Sequence, residues 1–317
     1  MLDQSRGWLA ALSQAPALTR LTVIHNPVSG RANGARFGRL LRALQGTGLE
    51  IVLRTTTMKG DGERLAAQAS RATDGILVVA GGDGTINEVI NGASPRDCPP
   101  IAVLPMGTAN VLHAELGLPS EPKALAAAIA GVATLPVYTP LANGRRFAVM
   151  AGAGFDAHVV AAVDAGGSKR LLGRAAYVLG YLRTLLRFPF RGYDVIIDGI
   201  SFRAASVVIA NARYYGGRFT CTPGARVDEP ELHVCLFLSP GRWSAVRYAL
   251  ALLTGTLHLR PDVAILRARH VVVHGEAGEP VQCDGDIVTT LPLTVEADGQ
   301  SLPFVVPLEF EAPRAAE

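Results

Sequence analysis

Apolar positions in the first part of the chain follow two different periods. Four short apolar runs have the length and composition of buried strands. They lie at residues 21–25, 51–53, 76–80 and 101–104. Helical patterns follow these runs, most clearly where one helix face is marked by Phe37, Leu40, Leu41 and Leu44. Strands that alternate with helices predict a parallel α/β sheet, with ligands bound beyond the carboxyl ends of its strands.

The pattern changes near residue 137. The rest of the chain consists mostly of short β-like runs separated by Gly, Pro and Asp, which predicts an antiparallel β domain. The runs lie at residues 147–150, 205–210, 232–238, 270–274, 293–295 and 304–306. Two helical segments, at residues 171–186 and 243–254, interrupt them, and Pro189 ends the first.

Charge is distributed unevenly along the chain. The net charge is only +3 over 317 residues, which gives no reason to expect a nucleic-acid partner. Residues 169–226, however, contain ten basic and two acidic residues, interleaved with Leu, Tyr and Phe, as suits an anionic membrane surface. The four cysteines form no CxxC pair, and neither a signal-peptide pattern nor a membrane-spanning run is evident. We therefore expect a cytoplasmic protein that meets lipid peripherally.

The stretch Gly81-Gly82-Asp83-Gly84-Thr85 carries the strongest chemical information. It follows an apolar run and precedes a helical segment, the arrangement that directs backbone N–H groups at an anion. A carboxylate beside a bound phosphate is repulsive unless a cation lies nearby. The stretch therefore predicts metal-assisted phosphoryl chemistry, the alternative being an ordinary βα turn with Asp83 as a solvated cap.

Three more polar clusters follow predicted strands. Asn26, in Asn26-Pro27-Val28-Ser29-Gly30, could bind a nucleotide or simply form an Asn-Pro turn. Thr56 follows the second strand, where its hydroxyl could donate to a phosphate. On local evidence, β propensity or a helix cap explains this residue better than phosphate binding does. Thr108 follows the fourth strand. We predict that it caps the next helix while its hydroxyl faces the crevice beside Gly82.

The second domain contains three further candidates. Asp284 and Asp286 flank a glycine between two β runs and suit a base or metal pair, although a hairpin turn is the simpler explanation. Acidic residues between 228 and 231 form either a cation site or a solvated loop. Residues 152–157 fit the dinucleotide pattern GxGxxA, but no acidic residue follows at the spacing that ribose binding requires. We predict a glycine loop there.

Taken in order, Asn-Pro-Val-Ser-Gly, Gly-Gly-Asp-Gly-Thr, Gly-Thr-Ala-Asn at 107–110 and Asp-Gly-Asp at 284–286 resemble the diacylglycerol kinase catalytic family. The resemblance is strongest to its soluble bacterial lipid kinases and their sphingosine and ceramide kinase relatives. It implies an NAD-kinase-like α/β domain over residues 1–137, to which a tail at about 305–317 returns. It also implies a β-sandwich domain for the lipid over residues 138–304, with MgATP in the cleft between them.

The resemblance also assigns roles to individual residues. It places nucleotide contacts on Asn26, Thr56, Gly81, Gly82, Asp83, Gly84, Thr85 and Thr108, and the acidic active-site motif on Asp284 and Asp286. Asp286 stands where the family has Glu, and its side chain is one methylene shorter. A structural magnesium site falls on Arg226, Glu229 and Glu231, with Pro230 in the place of a glycine.

These observations predict an ATP-dependent lipid kinase. Asp83 would organise Mg²⁺, through water, and Asp284 with Asp286 would accept the hydroxyl proton; Asp83 as the base is the alternative. The segment at 171–190 would shape the lipid entrance or touch the bilayer, unless it is a buried helix. Rival functions are an NAD-kinase-like kinase of a soluble substrate and a non-catalytic nucleotide- or lipid-binding module. The acceptor, whether diacylglycerol, monoacylglycerol, a sphingoid base or ceramide, stays open, and a homodimer is a further expectation.

Overall fold

A computed structural model of the protein describes residues 19–29, 34–70, 75–165 and 174–310. Its strands are β1 (Arg20–His25), β2 (Glu50–Thr55), β3 (Gly75–Gly81), β4 (Ile101–Pro105), β5 (Thr134–Tyr138), β6 (Leu141–Ala142), β7 (Arg145–Arg146), β8 (Met150–Ala153), β9 (Tyr193–Ile197), β10 (Ile200–Ala204), β11 (Ser206–Ala210), β12 (Tyr214–Tyr215), β13 (Phe219–Thr220), β14 (Leu232–Phe237), β15 (Val263–Ala268), β16 (His270–His274), β17 (Pro280–Cys283), β18 (Asp286–Thr290), β19 (Leu293–Glu296) and β20 (Ser301–Val305). Its α-helices are α1 (Gly34–Gln45), α2 (Asp61–Ala69), α3 (Asp83–Gly92), α4 (Val111–Glu115), α5 (Pro122–Gly131), α6 (Phe155–Ala165), α7 (Arg174–Arg187) and α8 (Arg242–Leu253). Gly30, the start of the predicted helix at 171–173 and the tail at 311–317 lie outside the described residues.

The first domain contains a six-stranded sheet in the order β2-β1-β3-β4-β20-β5. Strands β1 to β4 run parallel to one another. Every residue of β4 is buried, as is every residue of β3 after the first, which explains why these strands are continuous apolar runs in the sequence. The parallel α/β prediction is therefore confirmed, and the carboxyl ends of β1, β3 and β4 meet at one edge.

Strand β20 enters the first sheet between β4 and β5, parallel to β4 and antiparallel to β5. Assigning the run at 304–306 to the β runs of the second domain was therefore wrong. Phe304 and Val305 are fully buried in the core of the first domain. Periodicity cannot make this distinction, because a buried strand has the same composition in either sheet.

The second domain is a sandwich of two six-stranded antiparallel sheets. Their orders are β10-β9-β16-β19-β6-β7 and β15-β14-β11-β8-β17-β18. Side chains from both sheets share one core, which includes Tyr193 and Val271 from the first and Val207 and Val234 from the second. The two sheets confirm the β-sandwich-like fold.

Two segments of the second domain differ from the predictions. The run at 147–150 is not a strand before Met150, because the amides of Ala148, Val149 and Met150 donate to the Asp284 carboxylate. The predicted glycine loop at 152–157 is instead the end of β8, a turn and the first residues of α6. No α-helix of the described residues is long and apolar enough to cross a membrane.

Helices α2 and α3 pack closely beneath the glycine-rich turn. Glu88 of α3 accepts hydrogen bonds from the amides of Gly60 and Gly62, both at 2.9 Å, at the start of α2. At the other end of α3, a Cβ on Gly92 would lie within 3 Å of the Glu63 backbone. The missing side chain at Gly92 thus lets the two helices approach, and this packing holds α3 in place.

We expect Gly92→Ala to lower the free energy of unfolding by about 1–3 kcal/mol, because the methyl group would push α2 from α3. The matched control is Gly38→Ala in α1, where the nearest atom to a new Cβ is 3.6 Å away at the flexible end of Arg42. That change should stabilise the protein by about 0.5–1 kcal/mol through helix propensity. Urea unfolding measures both. Equal effects of the two substitutions would contradict the close packing.

Candidate functional site

The glycine-rich turn joins β3 to α3. Gly82 is the extended N-cap residue of α3, and its carbonyl accepts the amides of Thr85 and Ile86. The amides of Asp83 and Gly84 have no acceptor among the described residues. Because the first N–H groups of a helix point outward at its positive end, these two amides are placed to bind an anion.

The end of β1 lies against this turn. The Asn26 side-chain amide donates to Thr85 Oγ1 at 2.9 Å, and Asn26 Oδ1 accepts the amide of Val28 at 3.1 Å. The Asn26 amide also donates to the Ala80 carbonyl at 3.0 Å. The structure thus brings Asn26 and Thr85 together at the strand edge where parallel α/β folds bind ligands.

The loop after β4 closes the other side of the turn. The Asn110 side chain accepts the Gly107 amide and donates to the Gly107 carbonyl, both at 2.8 Å. A Cβ on Gly107 would lie 2.6 Å from Gly82 Cα. The two loops can therefore approach this closely only because both positions are glycine. Thr108 is exposed, and the N-cap of α4 is Asn110. The prediction that Thr108 caps this helix was therefore wrong.

Asp83 supplies the cap of α4 instead. Its carboxylate accepts the amides of Asn110 at 3.1 Å and of Val111 at 3.0 Å. Burial raises the pKa of Asp83 to about 6, with a further contribution from the charge of Asp284 and a smaller one from Asp286. The bond at position 111 is made by the backbone of Val111, so it does not depend on the side chain there.

Thr56 lies further from the turn than the other predicted nucleotide contacts. It follows β2, which β1 separates from β3, and its amide donates to the His25 carbonyl at 2.9 Å. Its side chain is buried. The adjacent Thr57 is the threonine that binds the Asp61 carboxylate, through both amide and hydroxyl at 2.7 Å.

Asp284 is held at the junction of the two domains by four donors. Asp284 Oδ1 accepts the amides of Val149 at 2.8 Å and Met150 at 3.1 Å. Asp284 Oδ2 accepts the Ala148 amide and Asn87 Nδ2, both at 2.9 Å. These four bonds fill the lone-pair positions of a carboxylate. Burial raises the pKa of Asp284, and the hydrogen bonds act in the opposite direction.

Asp286 lies directly against the glycine-rich turn. A Cβ built on Gly84 would overlap the Asp286 carboxylate. Asp284 and Gly285 form the two-residue loop between β17 and β18, with φ of 50° and 83°, as in a type I′ hairpin turn. Folding thus brings Asp83, Asp284 and Asp286 into one acidic cluster beside the outward-pointing amides.

The acidic loop at 226–231 does not join this cluster. The Arg226 guanidinium binds Asp228 at 2.6 Å and Glu229 at 3.1 Å, and Glu231 lies 3.4 Å from Arg267. Within the described residues, no group of three or more His, Cys, Asp or Glu is arranged to hold a metal ion. The carboxylates of Glu229 and Glu231 therefore face arginines, and these side chains do not fit the expected structural magnesium site.

Sequence patterns did not identify several residues of the site. Asn87 of α3 donates to Asp284 Oδ2 and to the Arg146 carbonyl, at 2.9 and 3.0 Å. Asn91, one turn later, exchanges hydrogen bonds with the Arg146 backbone. Two asparagines at i and i+4 of the helix that follows the glycine-rich turn were the available indication. Asp156 and Gln282 are buried beneath the 284–286 turn. Asp156 lies within residues 152–157, where we predicted only a glycine loop, and Gln282 gave no indication.

Comparison with known proteins places this arrangement in a family. Residues 20–139 match the family described as "Diacylglycerol kinase catalytic domain", and residues 149–306 match "YegS C-terminal NAD kinase beta sandwich-like domain". The chain is 28% identical over 281 residues to "Diacylglycerol kinase" of Bacillus subtilis (strain 168), covering 87% of this chain and 92% of that protein. It is 34% identical over 229 residues to "Probable lipid kinase YegS-like" of Pseudomonas aeruginosa (strain UCBPP-PA14), covering 69% and 72%.

A solved structure shares the whole fold. The crystal structure of a diacylglycerol kinase from Bacillus anthracis str. Sterne superposes with a TM-score of 0.72 at 22% identity, over 92% of this chain and 98% of that one. At that identity the likeness supports the two-domain fold alone. The family-model and sequence matches show that this chain belongs to the diacylglycerol kinase and YegS-like lipid kinase family, whose members are phosphotransferases with an alcohol group as acceptor.

Proposed function

We propose that this protein transfers the γ-phosphoryl group of MgATP to a hydroxyl group of a lipid. The observation that carries the proposal is the contact of the Asp286 carboxylate with Gly84. This contact sets an acidic turn of the second domain against the anion-binding turn of the first. Phosphoryl transfer depends on positioning and charge stabilisation, and the cleft between the domains supplies groups for both.

The first domain would bind the nucleotide. The free amides of Asp83 and Gly84 suit phosphate oxygens, and the Asn26–Thr85 pair adds polar groups at the same edge. Three clustered carboxylates beside a triphosphate call for a cation. Mg²⁺, which usually keeps several waters and takes one or two carboxylates, would neutralise the phosphate charge there, and Asp83 is the residue that we propose to organise it through water.

The two carboxylates of the 284–286 turn would have different tasks. Asp284 already accepts four hydrogen bonds, so we assign it the anchoring of the turn. Asp286 is then the carboxylate that accepts or orients the hydroxyl proton. A carboxylate is a weak base, but a loose transition state demands little early deprotonation.

Substitution of the two aspartates by asparagine tests this division. Asp286→Asn should lower kcat by about 10²- to 10⁴-fold through loss of the proton acceptor, with an unchanged Tm. Asp284→Asn should also lower the free energy of unfolding by about 1–3 kcal/mol, since an NH₂ group would face backbone donors. Steady-state kinetics and thermal unfolding measure both. Wild-type turnover in Asp286→Asn would refute its role, and an unchanged Tm in Asp284→Asn would refute the anchor.

The acceptor is identified by labelled ATP and a lipid panel, with mass spectrometry of the phosphorylated products. We expect a phosphorylated diacylglycerol, monoacylglycerol, sphingoid base or ceramide to form. A soluble acceptor that reacts faster than every lipid would support an NAD-kinase-like activity. Absence of ATP turnover with any acceptor would support a binding module.

A surface formed by α7 and α8 supports contact with an anionic membrane. The helices touch where Arg242 Nη2 donates to the Leu186 carbonyl at 2.8 Å. No Asp or Glu occurs between Asp164 and Asp194 or between Glu231 and Asp262. The exposed apolar side chains of this surface are Val178, Leu179, Leu182, Leu186, Trp243, Leu250 and Leu253. Exposed arginines, at positions 183, 187, 242 and 247, accompany them, so the surface combines apolar area with positive charge.

Vesicle co-sedimentation tests the membrane surface. With vesicles that contain anionic lipid, the double change Arg183→Glu and Arg187→Glu should weaken binding about tenfold or more, because each basic residue near such a surface contributes about 1 kcal/mol. Leu186→Gln should also weaken binding. The matched control is Ile200→Gln in β10, since Leu186 is 67% and Ile200 64% exposed. Equal binding of all variants would exclude this surface.

A further inference from the structure

A buried chain of hydrogen bonds lies beneath the acidic turn at 284–286. The Gly285 amide donates to Gln282 Oε1 at 3.0 Å. Gln282 Nε2 donates to Asp156 Oδ2 at 2.8 Å, and the Tyr215 hydroxyl donates to Asp156 Oδ1. Gln282 is 1% and Asp156 9% exposed, so the bond between these two side chains forms out of reach of bulk water, where polar interactions are strongest.

The glycines of the GxGxxA pattern make room for this chain. A Cβ on Gly152 would lie 2.6 Å from Asp156 Oδ2 and 3.0 Å from Gln282 Nε2. Gly154 then turns the chain into α6 at φ 98°, and Asp156 lies in the first turn of that helix. The motif that looks like a dinucleotide fingerprint therefore seats a buried carboxylate beside Gln282.

The carboxylate of Asp156 determines which way the Gln282 amide points. Both oxygens of Asp156 act as acceptors, one from the Tyr215 hydroxyl and one from Gln282, so the carboxylate selects the NH₂ end of Gln282. The oxygen end is then left for the Gly285 amide. With Asp156 absent, the Gln282 side chain could reverse, and its NH₂ group would face the Gly285 N–H, donor against donor.

The Gly285 amide fixes the orientation of the acidic turn at 284–286. It belongs to the peptide that joins Asp284 to Gly285, the two loop residues with positive φ. Asp286, which contacts Gly84, follows directly. Fixing that peptide plane therefore fixes where the Asp286 carboxylate meets the glycine-rich turn.

We propose that Asp156 and Gln282 are positioning residues for phosphoryl transfer. Asp156 orients the Gln282 side chain, and Gln282 holds the 284–286 turn against the anion-binding turn of the first domain. The inference rests on the proposed kinase function, because it concerns the geometry of that same site. Small errors in such geometry are costly to turnover.

Kinetics of three single variants and one double variant test the positioning. With MgATP and a mixed lipid extract, Gln282→Met and Asp156→Ala should each lower kcat by about 10- to 100-fold, with the KM for ATP changed less than about twofold. Asp156→Asn should retain most of kcat, since its amide oxygen still accepts from Gln282. The double variant of Asp156→Ala with Gln282→Met should be no slower than Gln282→Met alone. Additive losses would overturn the inference.

Hydrogen exchange of the Gly285 amide gives a readout that does not depend on turnover. Its protection should fall about tenfold or more in Gln282→Met and Asp156→Ala, and should persist in Asp156→Asn. Ser206→Ala is the control. It removes another buried hydrogen bond beside β8, to the Ala153 carbonyl at 3.1 Å, and should leave both protection and kcat unchanged.

The outcomes separate the two proposals. Unchanged protection in Gln282→Met, or lost protection with wild-type kcat, overturns the positioning role. A wild-type protein that phosphorylates no lipid contradicts the kinase proposal instead, and the exchange experiment still tests the hydrogen-bond chain. If Gln282→Met does not fold, Gln282→Asn, one methylene shorter, replaces it with the same expected losses.

Discussion

The carboxylate of Asp284 links the two domains. Three of its donors are amides just before and at the start of β8, and the fourth is Asn87 of α3. Burying a carboxylate costs several kcal/mol, which four well-placed donors offset. If the domains moved apart, Asp284 would lose the Asn87 bond, which is the one of the four that joins the two domains. The acidic turn and the glycine-rich turn are therefore held together, although they lie far apart in the sequence.

The same junction concentrates negative charge. Asp83 lies close enough to Asp284 and Asp286 for their charges to raise its pKa. The backbone at the start of α4 offsets part of this repulsion, because Asp83 accepts amides at the positive end of that helix. Such a concentration of carboxylates is unfavourable for stability and is typical of functional sites. It gives the junction of the two domains a concentration of acidic groups, as the proposed phosphoryl transfer requires.

The parts of the fold that sequence reasoning predicted are those set by local rules. Continuous apolar runs indicated the buried parallel strands, and helical periodicity indicated α1 and α8. The failures occurred where a distant partner competes with the local preference. Residues 147–149 have strand composition, but two of their amides serve Asp284. Thr108 is a residue type that often caps helices, but in the structure the Asp83 carboxylate accepts the amides at the start of α4. Residues 152–157 were predicted to form a glycine loop, because nothing in the local sequence shows that Gly152 leaves room for the side chains of Asp156 and Gln282.

The sequence by itself determined the fold class, the glycine-rich turn and the list of acidic residues that could take part in chemistry. These follow from residue type and spacing, since glycine permits close approach and a strand before a helix exposes amides. The tertiary structure decided which acids meet. It set Asp286 against Gly84, filled every acceptor position of Asp284 and turned Glu229 and Glu231 toward arginines. A carboxylate's task depends on its donors and neighbouring charges, and those come from distant parts of the chain that only folding brings together.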